Sequence, residues 1–102
     1  MDAMPTYKIS IDRDLEDLVP AYLENRRKEL PELFALAGAG NFDQLSKAGH
    51  KLAGSGGGYG FDRLSELGRR LEELALAEDR QGLEDCLAAL KDYLENLEIT
   101  YS

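Results

Sequence analysis

The chain has little of several residue types, and each shortage excludes a class of function. Its 102 residues include a single cysteine, so an internal disulfide is impossible and a reducing compartment, the cytoplasm, is expected. No apolar run approaches the roughly 20 residues of a membrane span, and the amino terminus lacks the apolar core of a signal peptide. Twelve basic residues against 20 acidic ones give a net charge of −8. That balance argues against nucleic acid and anionic membranes as partners, since both require a basic surface.

The chain also has only one histidine, His50. A metal site needs several converging His, Cys or carboxylate ligands, so one histidine and a distant cysteine do not predict one. Ser46 and Ser55 have no nucleophile-elbow context, which argues against a Ser-His-Asp site. The glycines of residues 54–60 lack the lysine and Ser/Thr that complete a phosphate-binding P-loop. The cysteine, Cys86, falls on an apolar stripe and is expected in the core.

Hydrophobic periodicity predicts an all-α protein. Apolar residues recur at steps of three and four in four segments, which indicates four amphipathic helices with short connections. The expected fold is an antiparallel up-and-down four-helix bundle over residues 12–102, preceded by an N-terminal arm over residues 1–11. We find no credible strand pair in the pattern. With 43% hydrophobic residues, the chain is expected to form one domain with a modest core, and a monomer.

Capping residues and prolines set the expected helix boundaries. A short additional N-terminal helix is expected to begin at Asp12 and to end near Val19, where Pro20 interrupts the pattern. A longer helix then continues to Ala37. The three later helices are expected to begin at the N-caps Asn41, Asp62 and Asp79, and the apolar stripe of the last one extends to Leu97.

His50 is predicted to lie on the outward face of the second helix. The apolar stripe of this helix consists of Phe42, Leu45, Gly49, Leu52, Gly56 and Tyr59. At about 100° per residue, His50 points roughly 130° away from that stripe, on the same arc as Lys47, Gly54, Gly57 and Gly58. Each exposed helical glycine costs about 1 kcal/mol relative to alanine. Because bare backbone lets another molecule approach closely, this costly patch predicts a docking surface around His50.

The position of the turn between the second and third helices predicts which acidic residue lies beside His50. If residues 41–58 and 62–77 form an antiparallel hairpin that turns near residue 61, Glu72 faces His50. A carboxylate on one imidazole nitrogen fixes the tautomer and leaves the other nitrogen free as a nucleophile. A register error of one turn leaves Glu73 or Glu66 as alternatives.

Positive charge is concentrated around the same hairpin. Five of the twelve basic residues lie there: Lys47, Lys51, Arg63, Arg69 and Arg70. An imidazole is largely uncharged at cellular pH and can accept a phosphoryl group, whose roughly two negative charges nearby cations would partly offset. The residues therefore favour a phosphoryl carrier. A non-catalytic helical adapter that docks a signalling partner through the same glycine-rich face remains the alternative.

At these residues the chain resembles the histidine-containing phosphotransfer (HPt) domains of bacterial and fungal phosphorelays. The shared pattern is His, an aliphatic residue two on, Gly four on, Gly ten on and a leucine four beyond. Here these are His50, Leu52, Gly54, Gly60 and Leu64, and the resemblance covers roughly residues 40–98. It implies a four-helix bundle whose histidine is phosphorylated on its outward nitrogen. The phosphoryl group would be exchanged with an aspartate of a response-regulator receiver domain.

The resemblance also implies which groups each protein would supply for phosphotransfer. The receiver would bring the aspartate, the Mg²⁺ and a lysine, and a sensor histidine kinase is the other expected partner. The chain itself would be a phosphocarrier without a cofactor of its own, and not an enzyme. Glu72 stands where family members often have a Gln or Glu that hydrogen-bonds the ring. Many members carry a lysine at the position of Ala53. Either Lys51 or Lys47 would supply that charge instead, or phosphotransfer would be slower or tuned to one receiver.

Overall fold

The computed structural model describes residues 6–102, and four α-helices make up most of this part of the chain. The helices are α1 (Val19–Gly38), α2 (Phe42–Gly58), α3 (Asp62–Leu76) and α4 (Arg80–Glu95). Each is joined to the next by three residues, so consecutive helices run in opposite directions. The predicted four-helix bundle is confirmed.

Two short strands flank the bundle in sequence, so the expectation of no strand pair was wrong. Strand β1 (Tyr7–Ile11) pairs in parallel with β2 (Leu97–Tyr101). Leu97 therefore belongs to β2 and not to α4, which ends at Glu95. Residues 7–11 of the expected N-terminal arm form this strand, and residues 1–5 of that arm lie outside the described residues.

The expected short N-terminal helix is also corrected by the structure. Asp12 does act as a cap, since its side chain accepts a hydrogen bond of 2.9 Å from the backbone N–H of Asp14. It caps only a 3-10 turn at Arg13–Leu15. Pro20 lies in the first turn of α1, where its missing N–H needs no intrahelical partner. The proline therefore lies at the start of the long helix and does not end a short one.

The later caps agree with the sequence at two of three positions. Asn41 and Asp79 accept hydrogen bonds from the backbone N–H of the residue three positions on, as predicted. Asp62 is not the cap of α3: the cap is Phe61, whose ring is fully buried. The backbone N–H of Phe61 donates to the carbonyl of Gly56, so core packing of the ring sets where α3 begins.

The core fills the space between the inward faces of the helices. Its fully buried side chains include Val19, Leu45, Phe61, Leu64, Leu71, Leu83, Leu87, Tyr93 and Leu94, and Ile11 of β1 closes one end. Cys86 is buried among them, as predicted. Contact is most extensive between α2 and α3, whereas α1 packs mainly on α4 and only lightly on α2. The α2/α3 hairpin is thus the tightest unit of the bundle, and it carries the histidine.

Candidate functional site

His50 projects from the outer face of α2 into solvent. Its side chain is 77% exposed, and its Nδ1 lies 3.2 Å from Oε2 of Glu72 on α3. Glu72 is more enclosed, with 31% of its side chain exposed. Within residues 6–102, the second ring nitrogen, Nε2, has no protein partner. One nitrogen of the imidazole therefore faces a carboxylate, and the other is open to an approaching molecule.

Two glycines explain why α3 comes close enough to place Glu72 beside the ring. A Cβ atom at Gly49 would lie 2.6 Å from the backbone nitrogen of Glu72 and 2.7 Å from the carbonyl oxygen of Gly68. A Cβ atom at Gly68 would lie 2.5 Å from the backbone nitrogen of Ala53. No side chain fits at these distances, so the two helix backbones are in direct contact. We call this region the glycine crossing, defined by Gly49 and Gly68.

The two alternative acids do not meet the histidine. Glu66 lies 3.3 Å from Arg63 on its own helix, and Glu73 is exposed without an ion pair in the described part of the chain. The hairpin register counted from the turn places Glu72 opposite His50, and Glu72 is the acid found there.

The outward glycines leave open space next to the ring. At Gly54 and Gly58 an added Cβ atom would meet nothing within 4 Å, and at Gly57 it would make ordinary contact, 3.6 Å from Oγ of Ser65. All three residues are exposed and helical. We call Gly54, Gly57 and Gly58 the outer strip. It is a smooth stretch of backbone that begins one turn after His50.

The two predicted lysines lie on the other side of His50, toward α1. A cavity of about 290 Å³ at the histidine is lined by Ser46, Lys47, His50, Lys51 and Glu72. Lys47 forms an exposed ion pair of 3.1 Å with Asp43. Lys51 makes no ion pair within residues 6–102. The same two lysines also line a larger groove of about 440 Å³ between α1 and α2.

The three arginines of the predicted cluster do not lie together. Arg63 and Arg70 act electrostatically on Cys86 of α4, where they partly oppose the burial that raises the pKa of that thiol. These two arginines are seven residues apart on α3, so they share one of its faces, and Arg69 lies about 100° around the helix from Arg70. Arg69 is exposed and makes no ion pair in the described part of the chain.

Several contacts that hold the C-terminal half of α2 could not be predicted from the sequence. The hydroxyls of Tyr22 and Ser55 are hydrogen-bonded at 2.7 Å, and the ring of Tyr22 stacks on Tyr59 with centroids 4.2 Å apart. The hydroxyl of Ser65 donates to the carbonyl of Ala53. Tyr22 and Ser65 belong to other helices, and only the three-dimensional packing reveals that they brace the helix that presents His50.

The described residues offer neither a membrane-spanning helix nor an obvious metal centre. Each helix in residues 6–102 is too short or too polar to cross a bilayer. In the same residues, no three His, Cys, Asp or Glu side chains converge as metal ligands would. The chemistry available at the site is that of a solvent-facing imidazole with an acidic neighbour and free lysine charge.

A comparison with protein families identifies the chain over most of its length. The family model for the Hpt domain matches residues 10–100. A search of the curated proteins found no match, and neither did a search of the solved structures. Hpt domains are phosphocarrier modules of histidine phosphotransfer in two-component phosphorelays, where they interact with receiver domains and histidine kinases. Because the match spans all four helices and parts of both strands, this chain belongs to the Hpt domain family.

Proposed function

We propose that His50 is the phosphorylated residue and that this chain exchanges its phosphoryl group with an aspartate of a response-regulator receiver domain. The observation that carries the proposal is the arrangement of the ring. Nδ1 faces Glu72 at 3.2 Å, and Nε2 is free on a side chain that is 77% exposed. A nucleophilic nitrogen must have a free lone pair and be reachable by its partner, and with the ring proton on Nδ1, facing Glu72, the Nε2 nitrogen has both.

The transfer needs no proton acceptor if the ring proton stays on Nδ1. The Nε2 lone pair attacks phosphorus, the bond between phosphorus and the aspartyl oxygen breaks, and the aspartate leaves as a carboxylate. The phosphorylated ring then carries a positive charge, because Nδ1 keeps its proton. Glu72 stabilises this imidazolium electrostatically, so it favours phosphate on the histidine. In the reverse step a carboxylate oxygen of the receiver attacks phosphorus, and the neutral ring leaves.

The lysines and the outer strip have separate roles in this proposal. Lys51 and Lys47, which line the cavity at His50, partly offset the charge of the phosphoryl group. Lys51 is the stronger candidate because Lys47 is already paired with Asp43. Gly54, Gly57 and Gly58 let the receiver's active site approach the ring without a clash. The receiver supplies the Mg²⁺, so this chain needs no metal ligands of its own.

Radiolabelled phosphate tests the proposal directly. The purified chain is incubated with phosphorylated receiver domains, or with an autophosphorylating histidine kinase, from the same genome. We expect label that is acid-labile and alkali-stable, as phosphohistidine is, and that is absent from His50→Gln. Failure of every receiver and kinase to label the parent chain contradicts the proposal.

The adapter hypothesis makes a different prediction for the same variant. If the glycine-rich face only docks a partner, His50→Gln binds that partner as well as the parent and no label is transferred. Gly54→Leu should weaken docking under both hypotheses, so it tests the surface and not the chemistry. Glu72→Gln keeps the side-chain shape but removes the charge, and we expect it to shift the exchange equilibrium toward the receiver by about tenfold, the equivalent of about 1.4 kcal/mol.

A further inference from the structure

Arg69 occupies a position on α3 that the proposed function has not yet used. Ser65, Arg69 and Glu72 are spaced four and three residues apart, so they form one stripe along the helix. Both ends of this stripe contact α2: Ser65 donates to the carbonyl of Ala53, and Glu72 faces His50. Arg69, in the middle, therefore lies beside α2 on the C-terminal side of the histidine.

The glycine crossing places the backbone next to Arg69 against α2. The backbones of α2 and α3 are in contact at Gly68, the residue immediately before Arg69. The residue opposite Gly68 on α2 is Ala53, whose side chain is only a methyl group. Ala53 is three residues from His50, a rise of about 4.5 Å along the helix. A long, flexible arginine side chain can span that offset.

Arg69 is also not engaged elsewhere. It makes no ion pair within residues 6–102, although acids stand on either side of it. Glu66, three residues before, pairs with Arg63, and Glu72, three residues after, faces His50. Glu73, four residues after Arg69, is exposed and makes no ion pair with it, so the guanidinium remains unpaired within the described residues.

We propose that the guanidinium of Arg69 binds phosphoryl oxygens on Nε2 of phosphorylated His50, from the α3 side, opposite Lys51 on the α1 side. The inference rests on the proposed function, because it requires a phosphoryl group at that nitrogen. Arginine suits this task since its planar fork of donors binds phosphate oxygens in pairs. Arg69 is then a phosphate-binding residue that favours retention of phosphate on this chain.

Arg70 provides a matched control on the same helix. It is the next residue and is also exposed and positively charged, but it lies about 100° farther around the helix from α2, on the face that it shares with Arg63. Arg69→Gln and Arg70→Gln therefore change the net charge identically and differ only in the direction from which charge is removed. Arg69→Lys keeps the charge but not the paired donors.

The test measures the exchange equilibrium between this chain and a phosphorylated receiver that labels the parent. We expect Arg69→Gln to lower the fraction of phosphate on His50 by about tenfold, as for loss of a hydrogen bond to a charged group. Arg70→Gln should change it by less than about twofold, since an exposed charge farther away is screened. Arg69→Lys should restore part of the loss. Unchanged Tm values exclude a structural cause.

Equal shifts in the two glutamine variants would overturn the assignment of Arg69, because net charge alone would explain them. An Arg69→Gln variant that exchanges phosphate like the parent would overturn it as well. In both cases the parent is still labelled on His50, so the proposed function stands. If instead the parent takes no label from any receiver or kinase, the proposed function fails first.

Discussion

The glycine crossing lies where α2 packs on α3 and the outer strip lies on the exposed face of α2, and the two use the same residue type for opposite purposes. At Gly49 and Gly68 an added Cβ atom would collide with backbone at 2.5 to 2.7 Å. At Gly54 and Gly58 it would meet nothing within 4 Å. The crossing needs glycine for packing, and it sets the position of Glu72. Glycine in the outer strip does not help the helices to pack, so access to His50 is the remaining reason for glycine there.

The crossing should show the largest effect of substitution. Gly68→Ala places a Cβ atom against the backbone of Ala53, and backbone cannot move aside as a flexible side chain can. We expect a loss of about 2–3 kcal/mol in the free energy of unfolding, as for other overpacked sites. The Tm measured by circular dichroism should fall by about 10–20 °C. A Tm equal to that of the parent would mean that the helices do not touch at this residue.

The strip should respond in function and not in stability. Gly54→Leu fills open space beside His50, so the Tm should be unchanged or slightly higher. We expect the second-order rate constant for phosphate exchange with a receiver to fall by at least about tenfold, the equivalent of about 1.4 kcal/mol. Gly54→Ala is the matched control and should retain most of the exchange rate. If Gly54→Leu and the parent exchange phosphate at equal rates, the outer strip is not a docking surface for the receiver.

The hydroxyls of two buried tyrosines allow the same comparison in the core. As with the glycines, we expect the surroundings of the group, and not its residue type, to decide whether a substitution stabilises or destabilises the protein. The hydroxyl of Tyr93 is buried and has no hydrogen-bond partner in the described residues. We expect Tyr93→Phe to stabilise the protein by about 1 kcal/mol, since it removes the desolvation cost of that hydroxyl. Tyr22→Phe is the control: its hydroxyl is bonded to Ser55, and its loss should destabilise.

Tyr93 also predicts a dependence of stability on alkaline pH. Burial raises the pKa of Tyr93 to about 12 from a usual value of 10.0. Its neutral form is favoured in the folded state, so this contribution to stability is complete below pH 10 and is lost as the pH rises toward 12. Urea unfolding across that range should show a smaller decline for Tyr93→Phe than for the parent.

The smallest effect is expected at the end of the strip. Gly58→Ala should raise the free energy of unfolding by about 0.5–1 kcal/mol, because alanine lowers the entropy of the unfolded chain and meets no neighbour in the folded one. The Tm should rise by a few degrees. A decrease in Tm would instead indicate that Gly58 adopts a positive φ and that α2 ends earlier than Gly58.

Local patterns predicted most of the helical architecture. Apolar spacing identified α2, α3 and α4, and the capping residues Asn41 and Asp79 located the starts of α2 and α4. Counting residues on either side of the turn between α2 and α3 placed Glu72 opposite His50. These features depend on residues within a few turns of each other, so the sequence contains the information directly.

Features that depend on distant contacts were not predictable in this way. Tyr7, Ile9 and Ile11 alternate with polar residues, but this alternation is too short to identify a strand. The partner strand lies 90 residues away, at residues 97–101. Phe61 displaces Asp62 as the cap of α3 because its ring is buried by residues of several elements. The close approach at Gly68 was likewise invisible, since a glycine in a helix does not reveal what packs against it.

The parallel pairing of β1 with β2 gives the domain a definite mechanical property. Tyr7 lies opposite Leu97, and Ile11 lies opposite Tyr101. Tension on the flanking segments would pull β1 from its Tyr7 end and β2 from its Tyr101 end. The ladder hydrogen bonds run across the strands, so this geometry loads them together in shear and not one at a time. Forced unfolding of the domain between handles at its ends should therefore begin with one abrupt rupture, after which the helices separate at lower force.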